Sequence, residues 1–172
     1  MAPLARVAEA APDFELPDLA GIPHRRSSLL GKVLVINFWS ADCPHSVRAD
    51  MRLLELKKEW GDRVAVWSVA ANRNERVEDL ARAAVERGVT PLLLDPDQAV
   101  ADRYGALTTP HICLIDAAGV LRYAGAPDDV TFGQPRPTRS YLGEAAAAVL
   151  AGREPTLSET PAYGCAIVRM GR

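Results

Sequence analysis

The sequence predicts one α/β domain with a mixed central sheet, and three observations carry that prediction. Two short apolar runs rich in β-branched residues, Val33 to Trp39 (VLVINFW) and Arg63 to Ala70 (RVAVWSVA), read as strands buried on both faces. Each is followed by a stretch whose apolar residues recur at helical spacing. Further on, His111 to Ile115 and Val120 to Tyr123 flank Asp116-Ala117-Ala118-Gly119, a connection suited to a hairpin.

The elements follow in order. Gly31-Lys32 and Ser40-Ala41-Asp42 bound the first strand. Pro44 to Trp60 is a helix, with Val47, Met51 and Leu54, and also Leu53, Leu56 and Trp60, at helical spacings; Gly61-Asp62 ends it. After the second strand, Asn74 is the expected cap of a helix whose Val77, Leu80, Ala81, Ala84 and Val85 share one face, and Gly88 closes it. Pro91 to Leu94 forms a short strand. Asp95-Pro96 sets a capping carboxylate before a proline at the first helical position, opening a short helix that ends at Gly105. Ala126 to Arg139 is a loop. A last helix spans about Thr138 to Ala151, with Leu142, Ala145, Ala146 and Val149 inward, and Gly152 stops it.

These elements divide the 172 residues into an N-terminal extension (1–10), the domain (11–152) and an irregular tail (153–172) that carries Cys165. An apolar fraction of 48% and a charged fraction of 24% are those of an ordinary globular protein, which excludes disorder as the dominant state. The 22 acidic and 20 basic residues leave a net charge of −2 with no long basic stripe, so neither nucleic acid nor an anionic membrane is an expected partner. Arg6 and Glu9 interrupt the N-terminus before an export signal can form, and no window approaches the roughly 18 apolar residues of a membrane span. The expected location is the reducing cytoplasm. Oligomeric state is not legible in the sequence.

Three cysteines, Cys43, Cys113 and Cys165, are too few and too dispersed for a disulfide framework, so the question becomes which thiol is reactive. Cys43 follows the first strand and Pro44 opens the helix. The thiol therefore sits at a helix N-cap, where free backbone N–H groups and the helix dipole favour a thiolate. His45 can add positive charge nearby when protonated, and the Ser46 hydroxyl, about one helical turn on, is either a donor to that thiolate or a polar residue without a chemical role. Cys113, between Ile112 and Leu114, reads as an inert core thiol. Cys165 is either an incidental exposed thiol or a resolving cysteine that reaches back to Cys43. Cys43, His45 and His111 lack metal-ligand spacing, and no metal or other cofactor is expected. There is no Walker loop, dinucleotide fingerprint or zinc-protease motif.

Phe38-Trp39-Ser40-Ala41-Asp42-Cys43-Pro44-His45-Ser46 resembles the active-site segment of the thioredoxin-like superfamily, Phe-Trp-Ala-x-Trp-Cys-Pro-x-Cys, with serine in place of the second cysteine. Ala11 to Gly21 resembles the Pro-x-Phe-x-Leu-x-Asp-x-x-Gly entry of its TlpA, ResA and peroxiredoxin branches. Tyr104-Gly105 followed by Thr109-Pro110 is similar to the segment that leads to the superfamily's cis-proline. Residues 74 to 95 match the helix-and-strand insertion of those branches, and Gly164-Cys165-Ala166-Ile167 resembles the ending of a subset of bacterial redoxins. The resemblance implies a thioredoxin-like fold over about 11–151, with Cys43 as nucleophile, Pro110 in the cis form beside it, and Trp39, Pro44 and Thr109 at the substrate surface.

Three functions follow in order. The first is a thiol–disulfide oxidoreductase that acts on protein or small-molecule disulfides through Cys43, resolved by Cys165 or an external thiol reductant. The second is a peroxiredoxin-like peroxidase that reduces hydroperoxides through a Cys43 sulfenic acid. Ser40 fits the Thr/Ser of the motif Pro-x-x-x-Thr/Ser-x-x-Cys, whereas Ile36 replaces its proline. The third is a redox-inactive binding module that keeps the cis-proline groove.

Overall fold

The computed structural model describes residues 3–169. In chain order the elements are β1 (Glu15–Pro17), β2 (Pro23–Arg25), β3 (Val33–Trp39), α1 (Pro44–Trp60), β4 (Val64–Ala70), α2 (Val77–Arg87), β5 (Leu92–Leu94), α3 (Ala99–Arg103), β6 (Thr108–Thr109), β7 (His111–Ile115), β8 (Leu121–Gly125), α4 (Tyr141–Leu150) and β9 (Cys165–Ala166). The five-stranded sheet runs β5-β4-β3-β7-β8, with β3, β4 and β5 parallel and β7 antiparallel to both its neighbours. This is the mixed sheet the sequence predicts.

All seven residues of β3 are buried because both faces of the sheet are covered. On one face Leu34, Ile36 and Phe38 pack with Phe14, Trp67 and Tyr104; on the other Val33 and Val35 pack with Leu53 and Leu56 of α1 and Leu142 of α4. Burying a large apolar side chain contributes about 1.5–3 kcal/mol, so this two-sided strand is a firm element from which a site can project. Its register sets Phe38 opposite His111, which brings Pro110 and Thr109 to the end of β3 where Cys43 begins α1.

Several elements differ from their sequence expectations for local reasons. The hairpin of β1 and β2 is built on Asp18, whose carboxylate accepts from the N–H groups of Ala20 and Ile22 at 2.8 and 3.0 Å; its three-residue strands are too short to show a period. Helix α2 starts after Arg76, not at an Asn74 cap, and its Val77 and Val85 are exposed while Leu80 and Ala84 are buried. Helix α3 starts only at Ala99, because Gln98 adopts a left-handed φ of +60°. Asp95 still caps it, accepting from Val100 and Ala101 N–H at 3.3 and 2.8 Å. Helix α4 begins after Ser140, whose hydroxyl accepts from Gly143 N–H at 3.1 Å.

Both ends of the chain are held to the domain. Residues 8–11 pair with the β8 side of the sheet, Ala10 bridging Val120, while Ala5 N–H donates to the Arg103 carbonyl at the end of α3. The tail, irregular over most of its described length, is fastened to the domain: Glu159 bridges Ala124, and β9 forms an antiparallel ladder with β6. Contacts this short and this remote in sequence leave no periodicity to read.

Candidate active site

Cys43 occupies the N-cap of α1 in an extended conformation, with Pro44 in the first turn, so its sulfur faces the free N–H groups of the helix start. The β6–β9 ladder pairs Thr109 with Cys165, and the Thr109–Pro110 bond is cis. The Cys43 sulfur lies 2.8 Å from the Cys165 sulfur and, as a thiol, donates to the Thr109 carbonyl at 3.1 Å. Both cysteines are free thiols, at a separation somewhat longer than the ~2.05 Å of a disulfide.

The two thiols are displaced in opposite directions. Burial pushes the Cys43 thiol up. The Cys165 thiol and the backbone N–H groups of Ser46 and Cys165 are among the donors that outweigh burial and hold it below the usual value. Cys165 is pushed up to about 11 by burial, by its hydrogen bond to Cys43 and by the neighbouring charge. Cys43 is therefore the thiol of the pair that ionises first, and once it does Cys165, held protonated, can donate to it.

Gly164 makes this approach possible. A Cβ there would stand 1.9 Å from the Thr109 carbonyl oxygen, so any larger residue separates β9 from β6. Beyond β9, Ile167 is buried in the core and its N–H donates to Leu107 at 2.9 Å. Asn72 accepts from Val168 N–H at 2.7 Å, and Gln98 donates to the Val168 carbonyl at 2.8 Å.

The loop before Cys43 is held from below. Glu75 accepts from the Ser40 hydroxyl at 2.6 Å, from Asp42 N–H at 3.0 Å and from Asn72 at 3.2 Å, which links the loop to the residue that also grips Val168. Arg87 donates to the Ser40 and Ala41 carbonyls, both at 3.0 Å, and to Asp50 at 2.7 Å, with its guanidinium 4.3 Å from the Trp39 ring centroid.

The AhpC/TSA family model matches residues 7–124. The chain belongs to the AhpC/TSA family. Among its relatives are the thiol:disulfide interchange protein DsbE of Allochromatium vinosum, 31% identical over 70% of this chain and 67% of that one, and the thiol-disulfide oxidoreductase ResA of Halalkalibacterium halodurans, 32% identical over 69% and 67%. Among solved structures, a protein of Sinorhizobium meliloti (SMc02350) superposes with a TM-score of 0.86 at 29% identity, covering 96% of each chain. The fold of this AhpC/TSA protein is thioredoxin-like.

Within this AhpC/TSA domain the structure brings Cys43, Thr109, Pro110 and Cys165 together. Pro44 is exposed beside them, and His45 meets the edge of the Tyr163 ring, with centroids 5.1 Å apart. Three expected roles change. Thr109, expected at the substrate surface, is buried under β9. Trp39 is fully buried and cannot touch a substrate; its indole N–H donates to Asp50 at 2.9 Å, so it supports the loop from beneath. The Ser46 hydroxyl oxygen accepts from Ser40 N–H at 3.2 Å, and it is the backbone N–H of Ser46 that favours the Cys43 thiolate. Cys113 is fully buried, with its thiol pushed up to about 12 by burial. No group of three or more His, Cys, Asp or Glu among the described residues can hold a metal ion, and no helix among them is long and apolar enough to cross a membrane. Glu75, Asn72, Gln98 and Arg87 escape a motif reading because each acts through backbone groups of a distant segment. The one sequence signal for this support was Gly164 before Cys165.

Proposed function

We propose that this chain reduces disulfides by thiol–disulfide exchange, with Cys43 attacking and Cys165 resolving. The observation that carries the reading is the 2.8 Å approach of two thiols with opposite pKa displacements. The Cys43 thiolate attacks one sulfur of a substrate R–S–S–R′, forming Cys43–S–S–R and expelling R′–S⁻, which takes up a proton. That step removes the Cys43 charge and its hydrogen bond, two of the three influences that raise the Cys165 pKa, so Cys165 becomes easier to ionise once it is needed. Its thiolate then attacks the Cys43 sulfur, closing Cys43–S–S–Cys165 and releasing R–S⁻. The cysteines lose two electrons and the substrate gains them. An external dithiol, or two monothiols such as glutathione, restores the starting pair, which fits a reducing compartment such as the cytoplasm.

Substrates of this exchange are disulfides of proteins or small molecules, as the names of DsbE and ResA suggest by similarity. The hydroperoxide alternative draws on the position of Ser40, but that hydroxyl is committed to Glu75 at 2.6 Å and is not free to orient a peroxide. The test is intact-mass analysis after stoichiometric oxidised glutathione, and separately after peroxide. The expected product with glutathione disulfide is a loss of two hydrogens that maps to a Cys43–Cys165 crosslink and disappears in Cys43→Ser. If neither oxidant modifies Cys43 preferentially, the exchange reading fails. Fast peroxide consumption dependent on Cys43, without exchange, would put the peroxidase first.

A further inference from the structure

Cys43 is only 1% exposed, yet an attacking thiolate must meet a sulfur from outside the chain. What covers it is the segment between Thr160 and Ile167. This segment is fastened firmly at both ends and lightly between them. At one end, the Thr160 hydroxyl oxygen lies 2.6 Å from the Tyr123 hydroxyl and accepts from Ala126 N–H at 3.0 Å, while Thr160 N–H donates to Ala124 at 3.1 Å. Gly125 permits this contact, since a Cβ there would lie 2.3 Å from the Thr160 carbonyl oxygen. At the other end stand the buried Ile167 and the grip of Asn72 and Gln98 on Val168. Between these points the seat consists of the two-residue β6–β9 ladder with Gly164 against Thr109, the Cys165–Cys43 contact, and the edge contact of Tyr163 with His45, centroids 5.1 Å apart at 77°.

We propose that residues 161–166 form a lid over Cys43 that lifts between the fixed points Thr160 and Ile167, with the Tyr163–His45 contact as its latch. Lifting uncovers Cys43 and the β6 edge together, because the same short strand covers both. Reseating returns Cys165 to the Cys43 sulfur, so the motion that closes the site also delivers the resolving thiol. Two fixed ends keep Cys165 near throughout, which makes its return an intramolecular step at high effective concentration. The lid serves the exchange proposed above, but its existence is measurable without any turnover.

The experiment follows alkylation of Cys43 by N-ethylmaleimide in a Cys165→Ser chain, where Cys113 is shielded by burial. Rates are normalised to the thiolate fraction from each variant's own pH profile. Adding Tyr163→Ala removes the latch and is expected to raise the rate about two- to tenfold, the equilibrium effect of losing one aromatic edge contact. Adding Gly164→Ala is expected to raise it further, because the new Cβ meets the Thr109 carbonyl and unseats β9. In the native chain, hydrogen exchange at the amides of Ala162 to Ala166 should outpace that at Thr160, Ile167 and Val168. Unchanged alkylation in both variants, or lid amides protected as long as those of β3, would overturn the proposal. A chain with these rates but no exchange with glutathione disulfide would keep the lid and reject the catalytic reading.

Discussion

Cys43 and Cys165 are 122 positions apart in sequence, and their sulfurs approach to 2.8 Å across the edge of a two-residue ladder. Position 46, one turn into α1, is a serine whose hydroxyl oxygen is already occupied by Ser40 N–H. Escape from a mixed disulfide therefore depends on Cys165. In Cys165→Ser, treatment with oxidised glutathione should leave a glutathione adduct on Cys43 that persists at least about tenfold longer than in the native chain, since only external thiols can then resolve it. Mass spectrometry over time reads this directly, and equal adduct lifetimes would remove Cys165 from the cycle.

The same pair sets the pH at which Cys43 becomes reactive. Burial alone raises its pKa; the donors from Cys165 and the start of α1 bring it down. In Cys165→Ala one donor is lost while most of the burial remains, so the Cys43 titration should move to higher pH. Thiolate absorbance in the ultraviolet, followed against pH, checks this. A midpoint that stays in place would mean that the helix start suffices.

Much of this molecule is legible in its sequence because the core strand announces itself. Val33 to Trp39 is apolar at every position but Asn37, a pattern available only to a strand covered on both faces, and Cys43-Pro44 at its end marks the helix start that activates a thiol. The tail is not legible for the opposite reason. Its hold comes from Asn72, Gln98, Tyr123 and the backbone of Leu107, none of which stands in any spacing relation to residues 158–168. Trp39 misleads because its place before the active loop suggests contact with substrate, whereas alternation along β3 turns it under the sheet toward Asp50.

Arg87 and Asp50 form a nearly dry pair, with side chains 13% and 4% exposed, and both bear on the active loop. Burial raises the Asp50 pKa, while the Trp39 indole and Arg87 oppose that rise. Arg87→Ala would strand this carboxylate and release the Ser40 and Ala41 carbonyls, at a cost of about 3–5 kcal/mol. Urea denaturation measures the loss. Replacing both partners, Asp50→Leu with Arg87→Leu, should recover part of it, because no charge is then left buried without its counterion. A single variant as stable as the native chain would show that the loop does not depend on this pair.

His111 follows the cis-proline, and neither of its ring nitrogens has a hydrogen-bond partner among the described residues. Burial pushes its pKa from 6.5 down to about 4, so the folded chain holds it neutral. Between those two values the unfolded chain binds a proton that the folded chain refuses. Stability must therefore fall as the pH drops from about 6.5 to 4, by on the order of 3 kcal/mol from this residue. Asp50 and Asp95, whose carboxyls are raised by burial, work in the opposite sense, because the folded chain keeps their protons longer as pH rises above 3.8. The total slope thus mixes several groups, and the difference between the native chain and His111→Phe isolates this one. The native chain should lose more stability on acidification than His111→Phe, so its urea midpoint minus that of the variant should fall as the pH drops from about 6.5 to 4. Parallel pH profiles would mean that His111 is hydrated or paired in solution.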